Sequence, residues 1–586
     1  MAETDKRNRK KSPGSLPDNG TAESTRIGLI ATFLMVLVSA VLTAMAFHPT
    51  AIPLFAWFGL APLLMVIARK SAPLAALWSL AAGYVFFFIG ANWISTVSYM
   101  GLFAMCIPLC LYFGLFALVT NLAVRRLRLP LMLAAPVVWV ACEYLRSFLF
   151  TGFPWLFLAH TQYAVLPLIQ ISDVTGAYGV SFLIVLVNAF VAEAALRALD
   201  KQRYRKFNTR GLLPRLICVI AAVALVLGYG FVRLDAVRSE MREGPRLLIV
   251  QPNIEQSIKE SRSTRAQLSV PIEIQTRRAF ERVTEANELP DLIVWPETMV
   301  QPGPDYAPKT PDDYTENNKK LAELIGDMGR YFMTGGTHVR EEPHEYLQWD
   351  KARQDLVKEA QPFTDWHNSA YVFGPDGEIK GRYDKIHLVP FGEFIPFKPQ
   401  LPFMGNVILH SAGFVRHLEP GSRVVFFEMK DAQGKPYVFT TPICYEVGFP
   451  DLFTTFVAEN GKKKADFVVN ISNDGWFRES AELEQTTAIA AFRAVENRVG
   501  VVRSTNTGIS AVIRPDGYFS WKDDVLRDAN GNMKSVQGEL TRNVYVCGSL
   551  TIYTRLKDWF AIAMLVLSGL AFTTSIILPR FTAAKK

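Results

Sequence analysis

The sequence predicts two structural classes in one chain, a multi-pass α-helical membrane domain and an α/β domain, and three observations carry that expectation. Half of the 586 residues are hydrophobic and the mean hydropathy is slightly positive, which is high for a wholly soluble protein. Apolar stretches of bilayer-spanning length crowd the chain before residue 235 and return after residue 558. Between them a polar segment alternates β-rich runs with helix-like stretches.

Residues 1–26 are polar, basic and rich in Ser, Asn and Gly, a composition that cannot bury a core, so they read as a disordered cytoplasmic arm. Residues 27–234 read as the membrane domain, with about seven transmembrane helices expected at 27–47, 51–68, 73–90, 101–124, 131–145, 176–194 and 212–234. Residues 559–586 supply a C-terminal transmembrane helix, 559–578, and a short tail. The loops between spans sort by charge. Arg69 and Lys70, then Arg125, Arg126 and Arg128, then the residues from Arg197 to Arg215, and finally Arg580, Lys585 and Lys586 fall on alternate loops, together with the basic arm. Lys and Arg concentrate on the cytoplasmic side of short membrane loops, so these loops belong inside. Seven spans beyond a cytoplasmic N-terminus, the segment 235–558 is expected outside, which in a Gram-negative cell is the periplasm.

That segment contains the runs RLLIVQPNI, DLIVWPET, NSAYVFGPDGEIKGRYDK, PYVFTTPICYE, ADFVVNISND and VGVVRSTNTGISAVIRPDG, each with a β-rich core. The PDG triplets at 375–377 and 515–517 are turn signals between strands. Segments 301–320 and 339–366, polar and turn-rich or helix-like, read as surface insertions.

Composition narrows the chemistry. The net charge of +8 could point to nucleic acid, but the basic residues sit beside apolar runs rather than on one polar face, so membrane topology accounts for them and no nucleic-acid partner is expected. The six cysteines form no CxxC pair and the eight histidines no HxH or HExxH, which leaves neither a disulfide framework nor a metal-ligand set. Cys106, Cys110, Cys142 and Cys218 lie in apolar runs, where a cysteine is usually a small buried hydrophobe.

Three patches in the polar segment place chemical groups at strand ends. Trp295-Pro296-Glu297 follows the apolar LIV, where a carboxylate behind an aromatic could be desolvated into a base. Alone it could equally be an exposed loop glutamate. The stretch from Tyr383 to Glu393 surrounds Lys385 with apolar residues, a histidine and two acids. Its ammonium could steady an oxyanion, or could simply be solvated. In Thr441-Pro442-Ile443-Cys444-Tyr445-Glu446 a cysteine ends an apolar strand and meets polar residues at once, as a nucleophile lifted from a sheet would, although a buried inert thiol fits the same pattern.

Taken in chain order, Glu, Lys and Cys in these phrases resemble the nitrilase superfamily of carbon–nitrogen hydrolases. NSA at 368–370, NDGWF at 473–477, RAVENR from Arg493 and RSTNTG from Arg503 strengthen the likeness. The resemblance implies a four-layer α-β-β-α sandwich, with Cys444 as nucleophile, Glu297 as general base and Lys385 as oxyanion stabiliser. The flanking spans, the HLVPFGEFIPF phrase and the Gly152-Phe153-Pro154-Trp155 loop make nearly the whole chain similar to the apolipoprotein N-acyltransferases. That narrower resemblance implies a bacterial inner-membrane enzyme with a periplasmic catalytic domain. It also implies supporting roles for Asn368, Glu393, Tyr445 and Glu446, and a membrane-side contribution to substrate binding from Trp155, Glu143 and Arg146. Ionisable residues inside a span are costly enough to raise a functional question, although Glu143 and Arg146 could equally hold helices together.

The implied reaction moves an acyl chain from a phospholipid, phosphatidylethanolamine for preference, through a Cys444 thioester onto the N-terminal amine of a diacylglyceryl-cysteine lipoprotein, with no cofactor. The sequence departs from the family pattern at Glu260, where a tryptophan is usual, at Arg478 in place of a glycine, and at Thr486 in place of a histidine. Two other readings are a membrane-tethered amidase of small periplasmic amides and a catalytically silent membrane scaffold. Retention of Glu297, Lys385 and Cys444 together argues against the scaffold, and the eight-span frame argues against the amidase.

Overall fold

The structure, a computed structural model, describes residues 28–199, 211–260, 269–306, 313–350, 355–396 and 418–583. The expected arm at 1–26 lies outside them, as do portions of the basic 197–215 loop and of the 301–320 segment.

The chain opens on helices α1 (Leu29–Met45), α2 (Ala61–Arg69), α3 (Ala72–Gly90), α4 (Tyr99–Arg125) and α5 (Leu131–Phe148). The short α6 (Leu166–Ile169) and α7 (Ser172–Thr175) lead into α8 (Ala177–Leu199) and α9 (Leu213–Glu240). Among the described residues six helices are long and apolar enough to cross a bilayer: α3, α4, α5, α8, α9 and the last helix of the chain. The first two expected spans are shorter. The α1 helix has 17 residues, and the second segment is divided into a 3₁₀ turn at Pro53–Trp57 and the nine-residue α2. Proline opens that turn, and Gly59 packs so tightly that a Cβ would meet the Phe55 carbonyl at 2.7 Å. Exposed apolar residues such as Ile217, Leu225, Val232, Val566 and Leu570 line the outer faces of α9 and the last helix, as lipid contact requires.

A six-stranded sheet has the order β13-β1-β2-β3-β4-β5, and a five-stranded sheet the order β12-β11-β10-β7-β6. The first uses β1 (Arg242–Gln251), β2 (Leu292–Val294), β3 (Tyr331–Asp350), β4 (Asp355–Phe373), β5 (Ile379–Asp384) and β13 (Gly538–Val546). The second uses β6 (Phe427–Lys430), β7 (Pro436–Thr440), β10 (Phe467–Ser472), β11 (Gly500–Thr505) and β12 (Ala511–Ile513). The two-residue β8 (Ala458–Glu459) and β9 (Lys462–Lys463) pair apart. Leu247, Ile249, Val294, Met333 and Val372 from one sheet and Phe439, Phe467, Val469 and Val502 from the other form one buried cluster, so the sheets pack face to face. Helices α10 (Gln256–Glu260), α11 (Ser269–Glu285) and α12 (Asp313–Met328) follow β1 and β2. Helices α11 and α12 cover the outer face of the first sheet, while α13 (Pro450–Val457) and α14 (Glu482–Asn497) cover the second. The result is the expected four-layer α-β-β-α sandwich. Helices α15 (Ile552–Leu556) and α16 (Trp559–Ala583) end the chain.

One expectation is corrected. The described residues of the 339–366 segment, 339–350 and 355–366, are neither turn-rich nor helical, because β3 and β4 continue as one antiparallel ribbon from Phe332↔Phe373 to Asp350↔Asp355, which pairs their backbones with each other. The 375–377 triplet turns β4 into β5, with the Gly374 N–H donating to the Glu378 carbonyl at 2.9 Å.

The sandwich is bolted to the helices through α14 and the Arg498 turn at its C-terminal end. Glu496 accepts a hydrogen bond from the Ala177 N–H at the start of α8 (2.9 Å), and Arg498 pairs with Asp173 at 2.7 Å. Asp173 also holds Arg233 (2.7 Å) and Tyr229 (2.6 Å) of α9. Gln485 accepts from the Trp93 indole (3.1 Å) and donates to the carbonyls of His48 and Gly90.

Candidate active site

Cys444 ends the run that begins as β7. Ile443 still bridges Ile471 of β10, and the chain then leaves the sheet in a 3₁₀ turn, Cys444–Gly448. Cys444 itself stands at φ +52°, a left-handed conformation that residues with a Cβ rarely adopt. Glu446 locks the turn from beneath. One of its oxygens accepts from Tyr383 Oη (2.8 Å), the Ile386 N–H (2.8 Å) and the His387 N–H (2.9 Å), and the other from the Ile443 N–H (2.7 Å). Burial pushes its carboxyl up to about 7, against these donors and the nearby Lys385 charge. The Cys444 thiol is half-buried. Desolvation and then the Glu297 carboxylate raise it well above an ordinary thiol, with Lys385 pulling the other way, so the resting group is neutral.

Glu297 follows β2, and its main chain runs so close to β3 that a Cβ at Gly335 would lie 2.6 Å from its Cα, which is why β3 carries glycine there. The preceding Trp295 turns away into the layer under α11, donating to Thr276 Oγ1 at 2.9 Å, so its ring does not shield the carboxylate. Polar groups hold it instead. Asn368 Nδ2 on β4 donates to Glu297 Oε1 at 2.6 Å and to Glu393 Oε1 at 2.8 Å, and the Asn473 N–H donates to Glu297 Oε2 at 2.7 Å. Lys385, fully buried after β5, lies 3.0 Å from Glu393 and 3.7 Å from Glu297. Burial alone would depress its ammonium; the carboxylates of Glu393 and Glu297 reverse that and hold it above the usual lysine range. Glu393 is fixed by the turn it closes, accepting from the Val389 N–H at 2.8 Å.

The helical domain roofs this cluster. Trp155 stacks on Tyr445 at 5.2 Å between ring centroids and 13° between planes, and Tyr445 Oη donates to the Gly152 carbonyl at 2.9 Å. Glu143 and Arg146 do not reach the cluster. Both grip the 152–158 loop: Glu143 accepts from the Leu158 N–H and the Trp139 indole, each at 2.9 Å, while Arg146 donates to the carbonyls of Phe153, Trp155 and Leu156. Of the ten residues singled out in the sequence, eight gather in one cluster and these two brace its roof.

Sequence reasoning overlooked the Asn473 N–H and Lys259, which donates to the Glu297 carbonyl at 3.0 Å. Lys259 directly precedes Glu260, the position that departs from the family pattern, but its burial to 2% exposure shows only in the fold. A backbone donor leaves no mark in the sequence.

The descriptions of known families match this division. Residues 39–190 fit the N-terminal domain of apolipoprotein N-acyltransferases, and residues 272–522 fit the carbon–nitrogen hydrolases. Among solved structures, the chain is similar to a mutant of an amidase of the nitrilase superfamily from Nesterenkonia AN1, at 14% identity and a TM-score of 0.33 over 55% of this chain and 94% of that one. The apolipoprotein N-acyltransferase of Agrobacterium fabrum is 32% identical over 64% of this chain and 61% of its own. That of Geobacter metallireducens is 31% identical over 92% of this chain and 95% of its own. With both domains matched and one relative aligned almost from end to end, the chain belongs to the apolipoprotein N-acyltransferase family.

Proposed function

We propose that this membrane enzyme N-acylates bacterial lipoproteins by a two-step route through a Cys444 thioester, with phosphatidylethanolamine as preferred donor. Glu297 takes the thiol proton, the thiolate attacks the ester carbonyl of the phospholipid, and Lys385 with a backbone N–H bears the oxyanion. Collapse expels the lysophospholipid alkoxide, which recovers the proton from Glu297. The neutral amine of a diacylglyceryl-cysteine then attacks the thioester. Glu297 accepts the amine proton, and sulfur leaves as the thiolate and is reprotonated. Glu393 and Asn368 hold Lys385 and Glu297 in register, Glu446 holds the nucleophile turn, and Trp155 with Tyr445 walls the acyl path on the membrane side. Glu143 and Arg146 keep that wall in place.

The observation that supports this reading most is the hydrogen-bonded set Glu297, Asn368, Glu393 and Lys385 beside a cysteine held in a left-handed turn. A periplasmic sandwich agrees with the basic helix ends. Arg125 donates to the Lys70 carbonyl (2.5 Å) and Arg126 to that of Ser575 (3.0 Å), so the C-terminal ends of α2 and α4 lie together beside the C-terminal part of α16. The test is to give the purified enzyme acyl-labelled phosphatidylethanolamine alone. Label is expected on Cys444, and addition of a diacylated lipopeptide should chase it into triacylated product. Product formed by a Cys444→Ala variant would overturn the route.

A further inference from the structure

The nucleophile turn rests on a chain of buried polar side chains that the steps above leave unused. Left-handed backbone at Cys444 persists only where its surroundings hold it. Asn470, on β10, donates its amide to the carbonyls of Pro442 (3.0 Å) and Cys444 (3.4 Å), on both sides of Ile443. Its own Oδ1 accepts from Arg503 at 2.8 Å, the residue opposite it on β11. The other amino group of Arg503 pairs with Asp474 at 3.0 Å, and Asp474 accepts the Ser472 hydroxyl as well. Asn470 and Arg503 are wholly buried and Asp474 nearly so. A buried Arg–Asp pair is weak evidence for stability. Here the guanidinium decides which way the amide faces, because only the Asn470 oxygen can receive it, and the NH₂ must then point at the turn.

We propose that Asn470, Arg503 and Asp474 are positioning residues for Cys444, the amide clamping the turn's carbonyls and the Arg–Asp pair fixing the amide. The proposal rests on the reading of Cys444 as nucleophile. The same strand end reaches the base, since the Asn473 N–H holds Glu297, so one rigid segment, residues 470–474, sets the separation across which the thiol proton moves.

The test uses the full-length enzyme with labelled phosphatidylethanolamine. Asn470→Asp keeps size and the acceptor for Arg503 but loses the donor; Asn470→Ala loses the donor without adding charge. In both, single-turnover thioester formation is expected to fall about a hundredfold, the order of loss for a reacting group displaced by about 1 Å, with KM little changed. Joining Asn470→Ala to Arg503→Met is expected to cost no more than Asn470→Ala alone, because the arginine acts through the amide. A wild-type rate in Asn470→Ala, a loss confined to Asn470→Asp, or a rise in KM at unchanged kcat would overturn the proposal. Failure of the unsubstituted enzyme to form a thioester on Cys444 would overturn the catalytic reading first, and this one with it.

Discussion

The Cys444 thiol lies where burial and the Glu297 carboxylate both favour its neutral form, so ionisation has to be coupled to proton acceptance. Glu297→Gln keeps the size of the side chain but removes the proton acceptor and sets an NH₂ against one of the two donors the carboxylate now receives, Asn368 Nδ2 or the Asn473 N–H, and thioester formation at neutral pH is expected to slow by at least about a hundredfold. The reactive form is the thiolate, so the rate should climb as pH rises and deprotonates the thiol directly. Its midpoint should lie above the ordinary thiol value of about 8.5, because the desolvation that raises the group remains. Lys385→Met should lose about 3–4 kcal/mol of oxyanion stabilisation and show no such rescue, since hydroxide supplies no positive charge. Thioester yield against pH in the two variants checks both outcomes; equal rescue would mean that the roles are misassigned. At this scale the sequence was informative because Glu297 and Cys444 each follow an apolar run that ends abruptly, whereas Lys385 follows the polar IKGRYD strand and was marked by the HLVPFGEF phrase after it. What it could not convey was the company Glu297 keeps. Trp295, two residues before it, turns into the layer under α11, and the carboxylate is held by Asn368 and Asn473, which are 71 and 176 residues away in the chain.

Among the elements, the 3₁₀ turn at Cys444–Gly448 joins the sandwich to the membrane-side roof. A Cβ on Gly448 would sit 2.4 Å from Trp155 Cζ3, and Trp155 is only 2% exposed, so the ring has no room to retreat. Gly448→Ala is therefore expected to push the indole off Tyr445, at about 1–3 kcal/mol of overpacking strain. Thermal unfolding should fall by a few degrees, in proportion to that strain. Activity should fall by more than the loss of folded protein explains, and unaltered transfer would show that the Trp155–Tyr445 stack does not shape the site. Strands were legible where both neighbours bury them, as β2 and β10 are. Two were not. In β3, Gly335-Gly336 interrupts the β-rich pattern, and the first glycine is there for the close pass of Glu297. The β13 strand lies at a sheet edge, and its GELTRNVYV sequence is polar from Glu539 to Asn543 apart from Leu540, with apolar residues gathered only at 544–546.

For the whole molecule, composition announced the division into helices and sandwich, but not how the two are joined. The RAVENR phrase was legible only as a family marker. In the fold its Arg493, Glu496 and Arg498 are completely buried, and Glu496 and Arg498 bind the start of α8 and Asp173 of α7. Such partners lie more than 300 residues apart, and no local pattern records them. This docking makes the two ends of the membrane domain unlike. One carries α14, Trp93 and the cleft, and the other gathers Lys70, Arg125 and Arg126. Moving that basic end across a bilayer would place several cations on the disfavoured side, each near a short loop where the bias acts. Reporters fused near Arg126 and Arg205 are therefore expected to read cytoplasmic, and reporters near Asp235 and Pro375 periplasmic. Charge removal offers a stricter check than position alone. Replacing Arg125, Arg126 and Arg128 with neutral residues should raise the fraction of chains with mixed orientation, while the same change at Arg527 and Arg542, on the sandwich surface, should not, because folded extramembrane segments do not vote on topology. Cytoplasmic labelling of Pro375 in the unsubstituted chain would place the cleft on the wrong side for lipoprotein acceptors that have already crossed the membrane.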